Sequence, residues 1–141
     1  MGSPTTADRG SVLTVYILDS TVLIGYLRDL PSVASGLRRR LSDGHTLATT
    51  CVNVAEVHRG MRPRERRRAQ AFLDALRFMS TDREAARRAG QYQAEWARRG
   101  RTIHTADALV AGTTRAHGAV LLTHNIEDFP MRDLRVELPE I

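Results

Sequence analysis

Apolar positions along this chain come in short runs, and their spacing switches repeatedly between two patterns. Val15-Tyr16-Ile17-Leu18, after Thr14, is an unbroken apolar stretch closed by Asp19. A run of that kind suits a strand covered on both faces. The strand is expected over Val12–Leu18, with a helix over Thr21–Arg28 behind it, which Ser20-Thr21 can start. Pro31-Ser32 opens a helix to Ser42, and Asp43-Gly44 stops it. Thr46–Thr49 reads as a second strand, and Thr50 as the cap of a helix closed by Gly60, with Val54, Val57 and Met61 as its apolar stripe. Pro63 begins a helix to Leu76 whose inner face is Ala69, Phe72, Leu73 and Leu76. Phe78–Ser80 is the expected third strand. Thr81 and Glu84 have the spacing of a capping box for a long helix ending at Arg99-Gly100. Thr105–His117 is the last helix and Val120–Thr123 the fourth strand, with an edge strand at Leu134–Val136. Strands alternating with helices predict an α/β fold in layers, with a mostly parallel sheet of four to five strands.

At 141 residues the length fits one domain, expected over residues 12–141, behind a polar segment, residues 1–11, that reads as a disordered leader. Hydrophobic residues make up 42% and charged residues 26%, an ordinary globular balance. No apolar run approaches the length of a membrane span, and no secretory signal is recognisable, so a cytoplasmic protein is expected. Cys51 is the single cysteine and has no internal disulfide partner; it reads as a small buried residue. The net charge is +5, and every basic residue is arginine. That balance suits a nucleic acid or an acidic protein as partner without choosing between them. Five arginines crowd Arg62–Arg68, the strongest basic patch, while Arg38-Arg39-Arg40 reads as a solvated helix face.

The candidate chemistry lies in where the acids fall. Asp19 follows the first strand, Glu56 sits on the helix after the second, Asp107 is in the first turn of the last helix, and Asp128 is in the loop after the fourth strand. Each has a structural alternative. Asp19 can be a helix cap, Glu56 a solvated residue beside the stripe, and Asp107 a favourable charge at a helix N-terminus. In a parallel sheet, however, strand ends and the helix starts that follow them share one edge. Carboxylates gathered there repel one another, and a hard cation such as Mg²⁺ or Mn²⁺ resolves the repulsion, takes oxygen ligands and can activate a water beside a phosphate. The five histidines show no zinc spacing, and no glycine-rich phosphate loop is present.

Four segments in order, Ile17-Leu18-Asp19-Ser20-Thr21, Asn53-Val54-Ala55-Glu56-Val57-His58-Arg59-Gly60, Asp107-Ala108-Leu109-Val110-Ala111-Gly112 and Leu122-Thr123-His124-Asn125-Ile126-Glu127-Asp128-Phe129, resemble PIN-domain ribonucleases, most nearly the VapC-like toxins of bacterial type II toxin–antitoxin pairs. The resemblance spans nearly the whole chain. It implies a PIN-like α/β/α sandwich and a Mg²⁺- or Mn²⁺-dependent endoribonuclease. It also implies a cognate antitoxin protein that covers the acidic cleft, and a homodimer through the helices rich in Ala, Tyr and Trp. Asp19, Glu56 and Asp107 match the family's acidic core and Asp128 its fourth acidic position, with Asp19, Asp107 and Asp128 as metal ligands. Ser20, Thr123 and Asn125 match supporting polar positions. His124 departs from the pattern, standing where an arginine is common. Arg59 and Arg62 are the arginines expected to meet the RNA backbone.

Two rival classes remain. A catalytically silent PIN-like module would hold RNA or protein and bind metal without turnover. A metal-dependent phosphatase would act on small phosphate esters; the aspartyl-nucleophile kind usually carries a second Asp two residues after the first, where this chain has Thr21.

Overall fold

The computed structural model describes residues 12–141; the leader expected over residues 1–11 lies outside the described residues. Five strands, β1 (Val15–Leu18), β2 (Thr46–Thr49), β3 (Arg77–Phe78), β4 (Val120–Leu122) and β5 (Arg135–Glu137), form one sheet in the order β3-β2-β1-β4-β5. Every pairing is parallel, so the sheet is wholly rather than mostly parallel. The helices are α1 (Ser20–Leu27), α2 (Pro31–Ser42), α3 (Cys51–Gly60), α4 (Arg66–Ala75), α5 (Arg83–Arg98) and α6 (Thr105–Ala116), with short 3₁₀ turns at Pro63–Glu65 and Ile126–Asp128.

Successive side chains of a strand point to opposite faces, and the core divides accordingly. Ile17, Ala48 and Leu121 pack with Ala89, Tyr92, Ala108 and Ala111 beneath α5 and α6. Leu18, Leu47 and Leu122 pack with Val22, Leu23, Val33, Leu37, Val57 and Leu73 beneath α1 to α4. The result is an α/β/α sandwich with β1 at its centre. The chain leaves β1 toward β2 and β3, then returns to the other side of β1 with β4 and β5. β1 is therefore the switch point at which a crevice opens beyond the carboxyl ends of the strands.

Several boundaries differ from the sequence expectation. β1 starts at Val15, because Val12 and Leu13 have nothing to cover them and lie exposed. The third strand is Arg77–Phe78, not Phe78–Ser80: Phe78 pairs with Thr49, and Met79 then turns inward to the core. The long helix is capped by Asp82, whose carboxylate accepts from Ala85 N at 2.9 Å, rather than by Thr81. Thr81 instead shares a hydroxyl contact of 2.7 Å with Thr113. Cys51 is exposed, at the first turn of α3, not buried. Arg40 is not on a solvated face. It is 4% exposed, its guanidinium lies 4.9 Å from the Tyr16 ring centre, and it donates to Pro139 O at 2.7 Å.

The small residues of α6 serve helix-to-helix contact as well as contact with the sheet. A Cβ on Gly112 would stand 2.3 Å from Ala85 O and 3.0 Å from Ala89 N on α5. Gly90, exposed on α5, has nothing within 4 Å of such a Cβ. The two glycines should therefore respond with opposite sign. Gly112→Ala is expected to destabilise by roughly 1–3 kcal/mol through overpacking. Gly90→Ala is expected to stabilise by roughly 0.5–1 kcal/mol through helix propensity. Denaturant midpoints of the two variants against the parent check both.

Candidate active site

Asp19 ends β1 at the switch point. Its backbone N–H continues the ladder to Leu122 O at 2.9 Å, so the sheet fixes where its Cα sits. Its carbonyl accepts from Val22 and Leu23, starting α1, yet its side chain makes no cap bond. The capping alternative therefore fails: the carboxylate is held chiefly by Thr123 and Asn53. It is only 6% exposed. Oδ2 accepts from Thr123 Oγ1 at 2.8 Å, and Oδ1 from Asn53 Nδ2 at 3.1 Å. Burial pushes its pKa above the ordinary value, with the charge of Glu56 adding to the effect, while the bonds from Thr123, Ser20 N–H and Asn53 act against it.

Glu56 reaches the same edge from α3. That helix is oriented by Thr50, whose side chain accepts from Asn53 N at 3.3 Å in a true N-cap. Glu56 Oε1 accepts the Ser20 hydroxyl at 2.5 Å. Asp107, half-buried in the first turn of α6, has its pKa pushed up to about 6. Burial is the first cause, followed by the charges of Asp19, Asp128 and Glu56, and His104 opposes them. Asp128 stands exposed on the 3₁₀ turn after β4. Asp107 is thus close enough to Asp19, Glu56 and Asp128 to feel their charge, as Asp19 is to Glu56.

The supporting residues divide. Thr123 is fully buried and also accepts from Asn125 N at 3.0 Å, folding back the loop that carries Asp128. Ser20 bridges to Glu56. Asn125 contributes its backbone; its side chain is exposed and makes no hydrogen bond among the described residues. Arg59 and Arg62 lie exposed at and just beyond the C-terminal end of α3, and neither forms an ion pair among the described residues. His124 Nε2 lies 2.8 Å from Glu140 Oε2. Slight burial acts to raise the pKa of Glu140, but this bond holds it below the ordinary value. Sequence reasoning missed Asn53, which is fully buried and touches Asp19 and Ser20 together. The available signal was its place one helical turn before Glu56, on the same side of α3.

The donor set is all oxygen, with neighbouring carboxylates helping to raise the pKa of Asp107, and this chemistry fits a hard divalent cation. Among the described residues no group of three acidic, histidine or cysteine side chains is already drawn in to cage an ion. The ligands would have to close by side-chain rotation, and waters would complete the shell, as Mg²⁺ sites normally retain several.

The PIN domain profile matches residues 16–132, four-fifths of the chain. Ribonuclease VapC10 of Mycobacterium tuberculosis is 35% identical over 115 residues, covering 82% of this chain and 86% of that protein. The tRNA(fMet)-specific endonuclease VapC of Shigella flexneri is 27% identical over 119 residues, covering 81% and 89%. The chain belongs to the PIN-domain family, among its VapC-like members. Solved structures share the fold. A chain in the crystal structure of VapBC2 from Rickettsia felis bound to a DNA fragment from their promoter superposes with a TM-score of 0.79 at 21% identity, covering 89% of this chain and 98% of that one. A chain of DNA-bound VapBC from Salmonella typhimurium gives 0.78 at 24%, covering 91% and 99%.

The raised pKa of Asp107 has a consequence for stability. A carboxyl whose folded pKa lies near 6 rather than 3.8 binds its proton more tightly in the folded state. Its stabilising contribution is complete below about pH 4 and is lost as pH rises through 6. In EDTA, Asp107→Asn should be more stable than the parent at pH 7.5, by about 1 kcal/mol once solvent screening of this half-open group is allowed for. The difference should vanish by pH 4. Denaturant melts at the two pH values check this.

Proposed function

We propose that this chain hydrolyses RNA phosphodiester bonds with Mg²⁺ or Mn²⁺ at the acidic edge of its sheet, as the toxin of a toxin–antitoxin pair. The observation that carries this reading is the gathering of carboxylates at the sheet's switch point, where Asp19 and Glu56 are joined through Asn53 and Ser20 and Asp107 lies within charge range of Asp19, Asp128 and Glu56. Names and structures of relatives point the same way: ribonuclease for VapC10, and VapBC complexes among the structural neighbours.

Asp19, Asp107 and Asp128 would hold the cation, Asp19 through the acceptor capacity its carboxylate keeps beyond the bonds from Thr123, Asn53 and Ser20 N–H. When bound, the cation offsets charge on the phosphate oxygens and lowers the pKa of a coordinated water. Glu56 Oε1 is engaged by Ser20, and Oε2, which accepts no bond among the described residues, would orient the attacking water and take its proton. Thr123 keeps the Asp19 carboxylate from rotating and ties the Asp128 loop to it. The exposed guanidinium groups of Arg59 and Arg62 would meet RNA phosphates outside the cleft. A silent binding module is the lesser reading, since all four acids and their hydrogen-bonded supports are present.

A groove between α1 and α3, about 370 Å³, is lined by Ile24, Leu27, Val57 and Met61, with exposed Arg28 and Arg64 at its rim. An apolar antitoxin segment with acidic flanks suits this surface in both shape and charge. The homodimer expected through the Tyr92–Trp96 helix would use Trp96. Tyr92 is buried and donates to Asp133 at 2.8 Å, whereas Trp96 is half-open with the Arg99 guanidinium 4.6 Å from its ring.

A mixed tRNA and rRNA pool should be cleaved with Mg²⁺ or Mn²⁺ and spared in EDTA. Asp107→Asn should reduce the rate by at least about 100-fold, the order expected when a site loses transition-state charge stabilisation. Equal cleavage by both proteins would point to a contaminant, and cleavage of small phosphate esters alone to a phosphatase. Arg59→Ala and Arg62→Ala should weaken RNA binding several-fold with little change in kcat. Each lost phosphate contact should flatten the plot of log K against log salt by about 0.7. Binding isotherms across a salt series measure that slope.

A further inference from the structure

Among the described residues, Asn53 is the one side chain that bonds to the carboxylate following the first strand and also to the residue holding Glu56. Its Nδ2 lies 3.1 Å from Asp19 Oδ1 and 3.2 Å from Ser20 Oγ. An amide nitrogen carries two hydrogens, and these two contacts use both. The amide oxygen is fixed as well, because the Thr50 hydroxyl lies 2.7 Å from Asn53 Oδ1. Thr50 Oγ1 already accepts from Asn53 N at 3.3 Å, so its own hydrogen is free to donate to that oxygen. The reverse amide orientation would set an oxygen against the Asp19 carboxylate.

The remaining donors follow in one direction. Ser20 Oγ accepts from Asn53, so its hydrogen goes to Glu56 Oε1 at 2.5 Å. Thr123 supplies the other oxygen of Asp19. The order is Thr50 to Asn53, Asn53 to Asp19 and Ser20, and Ser20 to Glu56. Carboxylates from two elements, the end of β1 and the middle of α3, are thereby set relative to each other through one buried amide. Asn53 is completely buried.

We propose that Asn53 is the positioning residue of this site: held by Thr50, it orients Asp19 and, through Ser20, Glu56, so that the acids are poised for a divalent cation. This rests on the metal-nuclease reading above. Supporting hydrogen-bond partners of metal ligands typically account for 10- to 100-fold in metal affinity or activity when removed. Leucine keeps the branched shape of asparagine, although it is larger, and has no donors, so Asn53→Leu removes the hydrogen bonds without emptying the position.

The test is Mn²⁺ calorimetry on the full chain, with melting temperature and RNA cleavage measured beside it. The expected result is a folded Asn53→Leu protein whose Kd for Mn²⁺ is weaker by about 10- to 100-fold, with kcat lowered to match and KM for RNA unchanged. Asn53→Leu that folds and binds Mn²⁺ as the parent does would overturn the positioning role alone. A parent protein that binds no Mn²⁺ would overturn the metal reading and this one with it. Should Asn53→Leu fail to fold, Thr50→Val takes its place. It leaves the amide present but free to turn over, so a several-fold loss of Mn²⁺ affinity supports the role and an unchanged Kd overturns it.

Discussion

Repulsion between carboxylates gathered at one sheet edge is the constraint to which the rest of this fold answers. Leaving a buried carboxylate charged is costly unless hydrogen bonds or counter-charge compensate. The chain compensates Asp19 with two side-chain donors from different elements, Thr123 beyond β4 and Asn53 on α3. It compensates Glu56 with Ser20. Asp107 receives much less, and its pKa rises to about 6. The site is therefore unequally satisfied, with one acid locked, one bonded on a single oxygen, and two open to the crevice. That inequality is what an incoming cation would relieve.

The architecture delivers this arrangement cheaply. A parallel sheet needs its strands buried on both faces, and the run Val15–Leu18 provides that for the central strand. Because β1 lies between β2 and β4, residues that follow three different strands meet at one edge without long loops. Asp19 follows β1 directly, and Asn53 and Glu56 ride on the helix that follows β2. Thr123 and Asp128 follow β4. Asp107 arrives separately, on the N-terminal turn of α6. The close approach of α6 to α5 at Gly112 helps fix that helix.

Much of this was legible in the sequence because it depends on local pattern. Alternating apolar runs fixed the layers, and acids at run ends marked the edge. The residues that were misread are those whose environment is set by distant chain. Arg40 looked like part of a solvated basic face, yet the carbonyl of Pro139, ninety-nine residues away, turns it inward. Cys51 looked like core and is exposed, because Thr50 takes the cap and Cys51 then falls on the outer side of α3. Asp82 displaced Thr81 as the cap because the Thr81 hydroxyl is engaged with Thr113 on α6. Asn53 offered only its place one helical turn before Glu56, since a buried amide acquires meaning from the acids brought to it.

Manganese titrated into isotopically labelled protein, followed by paramagnetic broadening of backbone amides, tests the central claim most directly. The account predicts broadening centred on three separate segments, around Asp19, Asp107 and Asp128, at stoichiometric metal. Broadening centred elsewhere, for instance on the exposed acids of α5, or none at all, would contradict it.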